Sequence, residues 1–140
     1  MMRSGSRIAQ RLGVVFGALA LAGAGMLAVP ASAQAASYNG VCGAGYSVVE
    51  SAAIGNSGTL FLTWNGSVGK NCAVTVRNAP GQALWMEAWI TRTATGGGDV
   101  DNGYYTTYAG PVYVDGRNTC IAFGGTIAGE SVTRGPGHCG

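Results

Sequence analysis

The chain has 140 residues, of which 10% are charged, and eight Lys or Arg against six Asp or Glu give it a formal net charge of +2. Three of the basic residues, Arg3, Arg7 and Arg11, stand at the start, so the remainder is close to neutral, with five basic against six acidic side chains. Lys70, Arg77, Arg92, Arg117 and Arg134 are scattered singly, which leaves no footprint for nucleic acid or an anionic membrane.

The three arginines precede the apolar run LGVVFGALALAGAGMLAV, and PASAQAAS then offers small-x-small cleavage sites after Ala33 and after Ala35. Residues 1–35 therefore read as a cleaved secretory signal peptide. Residues 36–140 read as a single secreted β domain with room for one modest core and no membrane segment once the leader is removed. All four cysteines, Cys42, Cys72, Cys120 and Cys139, lie in the exported part. An even count without C-x-x-C clustering predicts two disulfides rather than a metal site.

Six strands are predicted, in chain order, at 46–54, 59–64, 72–78, 83–93, 104–114 and 119–127. The segments between them are rich in Gly, Asn, Asp and Pro, which is turn chemistry. No stretch carries a sustained helical period. The expected fold is all-β, a small antiparallel sandwich or barrel of about six to seven strands.

In the third strand, alternation puts Cys72, Val74 and Val76 on the predicted core side and Ala73 and Thr75 on the other. In the fourth strand, Leu84, Met86, Ala88 and Ile90 take the core side. Its other side carries Trp85, Glu87, Trp89 and Thr91, with the two indoles about 13 Å apart along the strand. Such a pair can stack on sugar rings. The preferred expectation is that it packs beneath a second sheet, because Trp is mostly buried on average.

If the strands meander up and down, the first and third begin at one end of the sheet, and Cys42 can reach Cys72 where those strands are neighbours or face each other across the sandwich. Cys120 then opens the sixth strand, and residues 129–139 have room to bring Cys139 back to it. The alternative pairing, Cys42 with Cys139 and Cys72 with Cys120, would tie the termini together and stays open.

The stretch GDVDNGYYTTYAG (98–110) resembles a calcium loop at first sight. Counted from Asp99, the third position is Asp101, but Gly103, Tyr104 and Gly110 occupy the fifth, sixth and twelfth, where such a loop needs an oxygen ligand, Gly and Glu. A hairpin turn at Asn102-Gly103 is expected instead, and no metal or other cofactor. Asn65-Gly66-Ser67 matches a glycosylation sequon but is read first as a turn.

No catalytic residue is predicted. The one histidine, His138, stands beside Cys139 near the C-terminus, a poor place to hold a base rigidly. Glu50 and Glu87 are the only acids within predicted strands, and nothing in the sequence sets them opposite each other as a glycosidase requires.

The segments YNGVCGAGYSVVESAAIGNSGTLFLTWNGSVGKNCAVTVRN and YAGPVYVDGRNTC, with all four cysteines, resemble the spore-associated protein A family of filamentous spore-forming bacteria. The resemblance spans Tyr38 to Cys139. It implies a small exported protein found with spores or aerial structures, without an assigned catalytic activity, and supplies no functional residues. The leading expectation is thus a secreted, non-enzymatic structural protein of the spore or cell surface, in contact with a surface polymer. Two alternatives are a module that binds a cell-wall or spore polysaccharide through Trp85 and Trp89, and a small secreted inhibitor of hydrolases.

Overall fold

A computed structural model describes residues 34–140, so the leader expected over 1–35 lies almost entirely outside the described residues. Eight strands follow in order: β1 (Ser47–Ile54), β2 (Gly58–Asn65), β3 (Lys70–Arg77), β4 (Leu84–Arg92), β5 (Gly98–Tyr105), β6 (Tyr108–Asp115), β7 (Ile121–Ile127) and β8 (Glu130–Gly137). They form two four-stranded sheets, ordered β1-β2-β3-β6 and β5-β4-β7-β8, with every pairing antiparallel. The fold is the expected all-β sandwich, with one strand more than the expected upper count.

The core lies between the sheets. Ile54, Leu60, Leu62 and Ala73 from the first sheet meet Met86, Ala88, Ile90, Phe123 and Ile127 from the second. Gly125 lets the sheets approach at Thr75, whose hydroxyl donates to the Glu87 carbonyl across the interface at 2.9 Å. This corrects the predicted core side of β3: Ala73 and Thr75 face the other sheet, while Val74 and Val76 face outward.

Val74 and Val76 are nevertheless buried, because residues 36–45 run as a strap over that outer face. Tyr38 and Val41 pack on Phe61, Val74 and Val76. The strap is fixed by the disulfide Cys42–Cys72, by the Ala36 N–H donating to Asn78 Oδ1 at 2.9 Å, and by the Tyr113 hydroxyl donating to the Cys42 carbonyl at 2.9 Å. A second disulfide joins Cys120 to Cys139 beside the β7–β8 ladder. Both pairings are the expected ones, but β1 and β3 are neither neighbours nor face to face: β2 lies between them, and the strap carries Cys42 to Cys72.

The hairpin turn expected at Asn102-Gly103 is not there. Both residues lie inside β5, paired with Glu87 and Met86. The reversal before β5 is made by 93–97, where the Arg92 N–H donates to the Gly97 carbonyl at 2.7 Å. The reversal after it, at Thr106-Thr107, splits the strand expected over 104–114. That turn contains no Gly, Pro or Asn. Its carbonyls are gathered by Arg77 instead, through the backbone N–H to Thr107 and the guanidinium to Thr106, and by the Gly81 N–H. The tail expected after 129 forms β8, entered through Ala128-Gly129, both at positive φ, as a two-residue hairpin of the primed type requires.

Candidate functional site

The outer face of the second sheet is assembled by the alternation of β4 and its neighbours. With Met86, Ala88 and Ile90 committed to the core, Trp85, Glu87 and Trp89 turn outward. Register sets Tyr104 opposite Trp85, Asn102 opposite Glu87 and Val100 opposite Trp89 on β5. On the other side, Thr126 and Gly124 of β7 lie opposite Glu87 and Trp89, and Ser131 and Thr133 of β8 extend those rows.

Trp85 is 42% exposed, Val100 55% and Tyr104 72%. The expectation that the tryptophans pack beneath a second sheet is therefore wrong. Alternation sends them away from the inter-sheet core, and among the described residues no third layer covers them. The Trp85 and Tyr104 rings meet edge to face with centroids 5.5 Å apart. Trp89 is half-buried because its indole lies across Gly124, where a Cβ would run into three adjacent ring atoms. Between the aromatic positions, Asn102 Nδ2 donates to Glu87 Oε2 at 3.2 Å, and the hydroxyls of Thr126 and Ser131 are 2.8 Å apart. The face thus offers aromatic rings beside a row of hydrogen-bonding groups.

The two glutamates of the glycosidase reading are on different surfaces. Glu50, on β1, is held by the His138 imidazole and, at 3.7 Å, by Arg134 Nε, while Glu87 faces outward from the second sheet. His138 also borders a depression of about 320 Å³ lined by Val49, Trp64, Asn71, Gly116 and Gly140. There the imidazole is bonded to a carboxylate that ties β1 to the chain beyond β8, with its ring edge-on to Phe123.

Asp99 and Asp101 have a structural task. They turn inward from β5 to the free edge of β6, where Asp101 Oδ2 accepts from the Gly110 N–H at 2.8 Å and Asp99 Oδ2 from the Tyr113 N–H at 3.1 Å. Asp101 Oδ1 also accepts from the Tyr105 hydroxyl at 2.7 Å. An exposed strand edge is a template for unwanted pairing, and these carboxylates cap it. Among the described residues no group of three His, Cys, Asp or Glu side chains could hold a metal ion. Asp101→Ala is expected to cost about 2 kcal/mol, the worth of charged hydrogen bonds and the orphaned Gly110 N–H. The loss should be the same in denaturant titrations with and without calcium; a calcium-dependent loss would mean that the carboxylate binds the ion.

The same contact shapes the alkaline behaviour. The hydrogen bond to Asp101 raises the Tyr105 pKa above its ordinary value, with burial and the Asp101 charge adding to it. Burial raises Tyr113, with Tyr46 and Tyr38 contributing, and burial then Tyr38 raise Tyr46. A folded-state pKa above the unfolded value contributes stability that is whole below about pH 10 and is lost as pH climbs through the raised value. Stability should fall in that window, together with tyrosinate absorbance developing later than in the unfolded chain. Ionisation of all six tyrosines at the unfolded value, before any unfolding, would overturn this.

Sequence reasoning found Trp85 and Trp89 but missed Tyr104, Asn102 and Gly124. The signal was the alternation Val100, Asn102, Tyr104, hidden by reading Asn-Gly as a turn.

No protein-family model and no solved structure matches the chain. Spore-associated protein A of Streptomyces coelicolor is 42% identical to it over 137 residues, covering 94% of this chain and 89% of that protein. At that identity and coverage, the chain belongs to the spore-associated protein A family.

Proposed function

We propose that the chain is exported, loses its leader after Ala33 or Ala35, and serves as a non-catalytic structural protein in contact with a polymer of the spore or cell surface. The carrying observation is the stapled sandwich: a small β domain whose strap and last strand are each tied by a disulfide suits an oxidising, extracellular setting. The relative's name supplies the spore. The hydrogen bond at the start of the strap is compatible with a cut after Ala35. Cutting after Ala35 would leave a charged α-amino group on Ala36, where the N–H already donates to Asn78 Oδ1, and charge strengthens such a bond.

Locating tagged protein on intact spores and on vegetative cells tests the reading, and protein retained in the cytoplasm would sink it. Mass spectrometry of the exported product should find Gln34 or Ala36 as the first residue. An uncleaved leader on that product would contradict the proposed processing.

A further inference from the structure

The chain treats the two outer faces of its sandwich differently. Over the first sheet it lays its own strap, with Tyr38 and Val41 against Phe61, Val74 and Val76. Over the second, none of the described residues covers Trp85, Tyr104 or Val100. Leaving aromatic rings in water forfeits the gain that burial gives elsewhere, and contiguous exposed patches of this kind mark binding surfaces.

Charge narrows the occupant. Arg92 and Arg134 stand in register with Ile121 and Phe123, whose side chains are in the core, so neither faces outward from this sheet. Asp99 and Asp101 are spent on the edge of β6. The single charge in the rows across β4 is Glu87, and it is bonded to Asn102. An anionic polymer would find no counter-charge there and would meet a carboxylate. The complement is an uncharged polymer with C–H faces for the rings and hydroxyls for Glu87, Asn102 and the Thr126–Ser131 pair.

Shape narrows it further. Trp85 and Trp89 stand on an open strand face, about 13 Å apart on a line along β4, with the Tyr104 ring edge to face against Trp85. Beyond Trp89, Gly96 and Gly98 withhold side chains, and a shallow groove bordered by Thr91 and Val100 continues that line. A straight, ribbon-like chain fits such a track and a coiled one does not. We propose that this face binds a neutral β-1,4-linked polysaccharide lying along β4, with Trp85 and Trp89 stacking on sugar rings, Tyr104 bracing Trp85 edge to face, and Glu87 with Asn102 holding hydroxyls between them. This deepens the surface role proposed above by naming the polymer. Localisation is measured separately, so either can fail alone.

The test is retention of the purified exported protein on insoluble chitin and on microcrystalline cellulose. Retention of the wild type on at least one of them, persisting at high salt, is expected, with binding about tenfold weaker or worse in Trp85→Ala/Trp89→Ala. Tyr104→Ala should weaken binding less. Because these rings are largely outside the core, unchanged circular dichroism should accompany the loss. Soluble oligomers of the retained polymer should shift the wild-type tryptophan fluorescence to the blue. Failure of the wild type to bind either polymer, undiminished binding by the double variant, or release by salt would overturn the proposal. So would dimerisation in analytical ultracentrifugation that the double variant abolishes, since the occupant of the face would then be a second copy of the chain.

Discussion

A Cys42→Ser/Cys72→Ser variant is expected to lose roughly 3 to 4 kcal/mol from loop closure alone, since the bridge spans 30 positions. The full loss should be larger, because this disulfide also holds the strap. With Cys42 free, the contacts of Tyr38 and Val41 on Phe61, Val74 and Val76 have to survive on three hydrogen bonds to the sheet: Ala36 N–H to Asn78 Oδ1, Asn65 Nδ2 to the Ala44 carbonyl, and the Tyr113 hydroxyl to the Cys42 carbonyl. Domains of this size are stable by only about 5–15 kcal/mol, so the variant should sit near its unfolding transition at growth temperature. The corresponding Cys120→Ser/Cys139→Ser change should cost less. The β7–β8 ladder, which pairs Ile121 with Gly137, holds those ends together without the bridge. Denaturant titrations of the two variants decide the order, and hydrogen exchange should show amides 36–45 losing protection in the first variant alone. Equal losses would mean that the strap contributes nothing beyond the cross-link.

What was legible in the sequence was whatever local chemistry decides. Met86, Ala88 and Ile90 announce a buried side by alternation, and the structure buries all three. Both disulfides join the cysteines that the sequence favoured, although Cys42 reaches Cys72 through the strap and not through adjacent strands. What was illegible depends on layers that a sequence does not display. β3 is apolar on both sides because one side meets the other sheet and the opposite side meets the strap, so alternation alone has no means of telling Val74 from Ala73. The tryptophans were expected inside from their average burial, but none of the described residues covers the outer face of the second sheet, and their parity on β4 sends them out. The Thr106-Thr107 turn has no turn residues of its own and exists because Arg77 collects its carbonyls. β8 carries Gly135 and Pro136, which read as a tail; Pro is tolerated there because β8 is an edge strand.

Phe123→Ala is expected to destabilise the domain by about 3–5 kcal/mol, the usual cost of deleting a buried aromatic ring. Phe123 is fully buried and stands on β7, between β4 and β8, with Ile90 and Arg134 as its register partners. Its ring fills the inter-sheet core and meets the His138 ring at a centroid distance of 6.5 Å, so its loss should leave a cavity and free the imidazole that holds Glu50. β4 and β8 flank that cavity, and their ladders with β7 resist the collapse that would lower the cost. Phe123→Leu keeps most of the volume and should lose about 1–2 kcal/mol, which separates cavity formation from general intolerance at the site. Both values are read from the denaturant midpoint at unchanged slope, because a changed slope would report an altered compactness of either state. A loss below about 1 kcal/mol for the alanine variant would mean that Phe123 lies outside the core. Since side chains alternate along a strand, β7 would then pair one residue out of register, and Gly124 would no longer lie beneath Trp89.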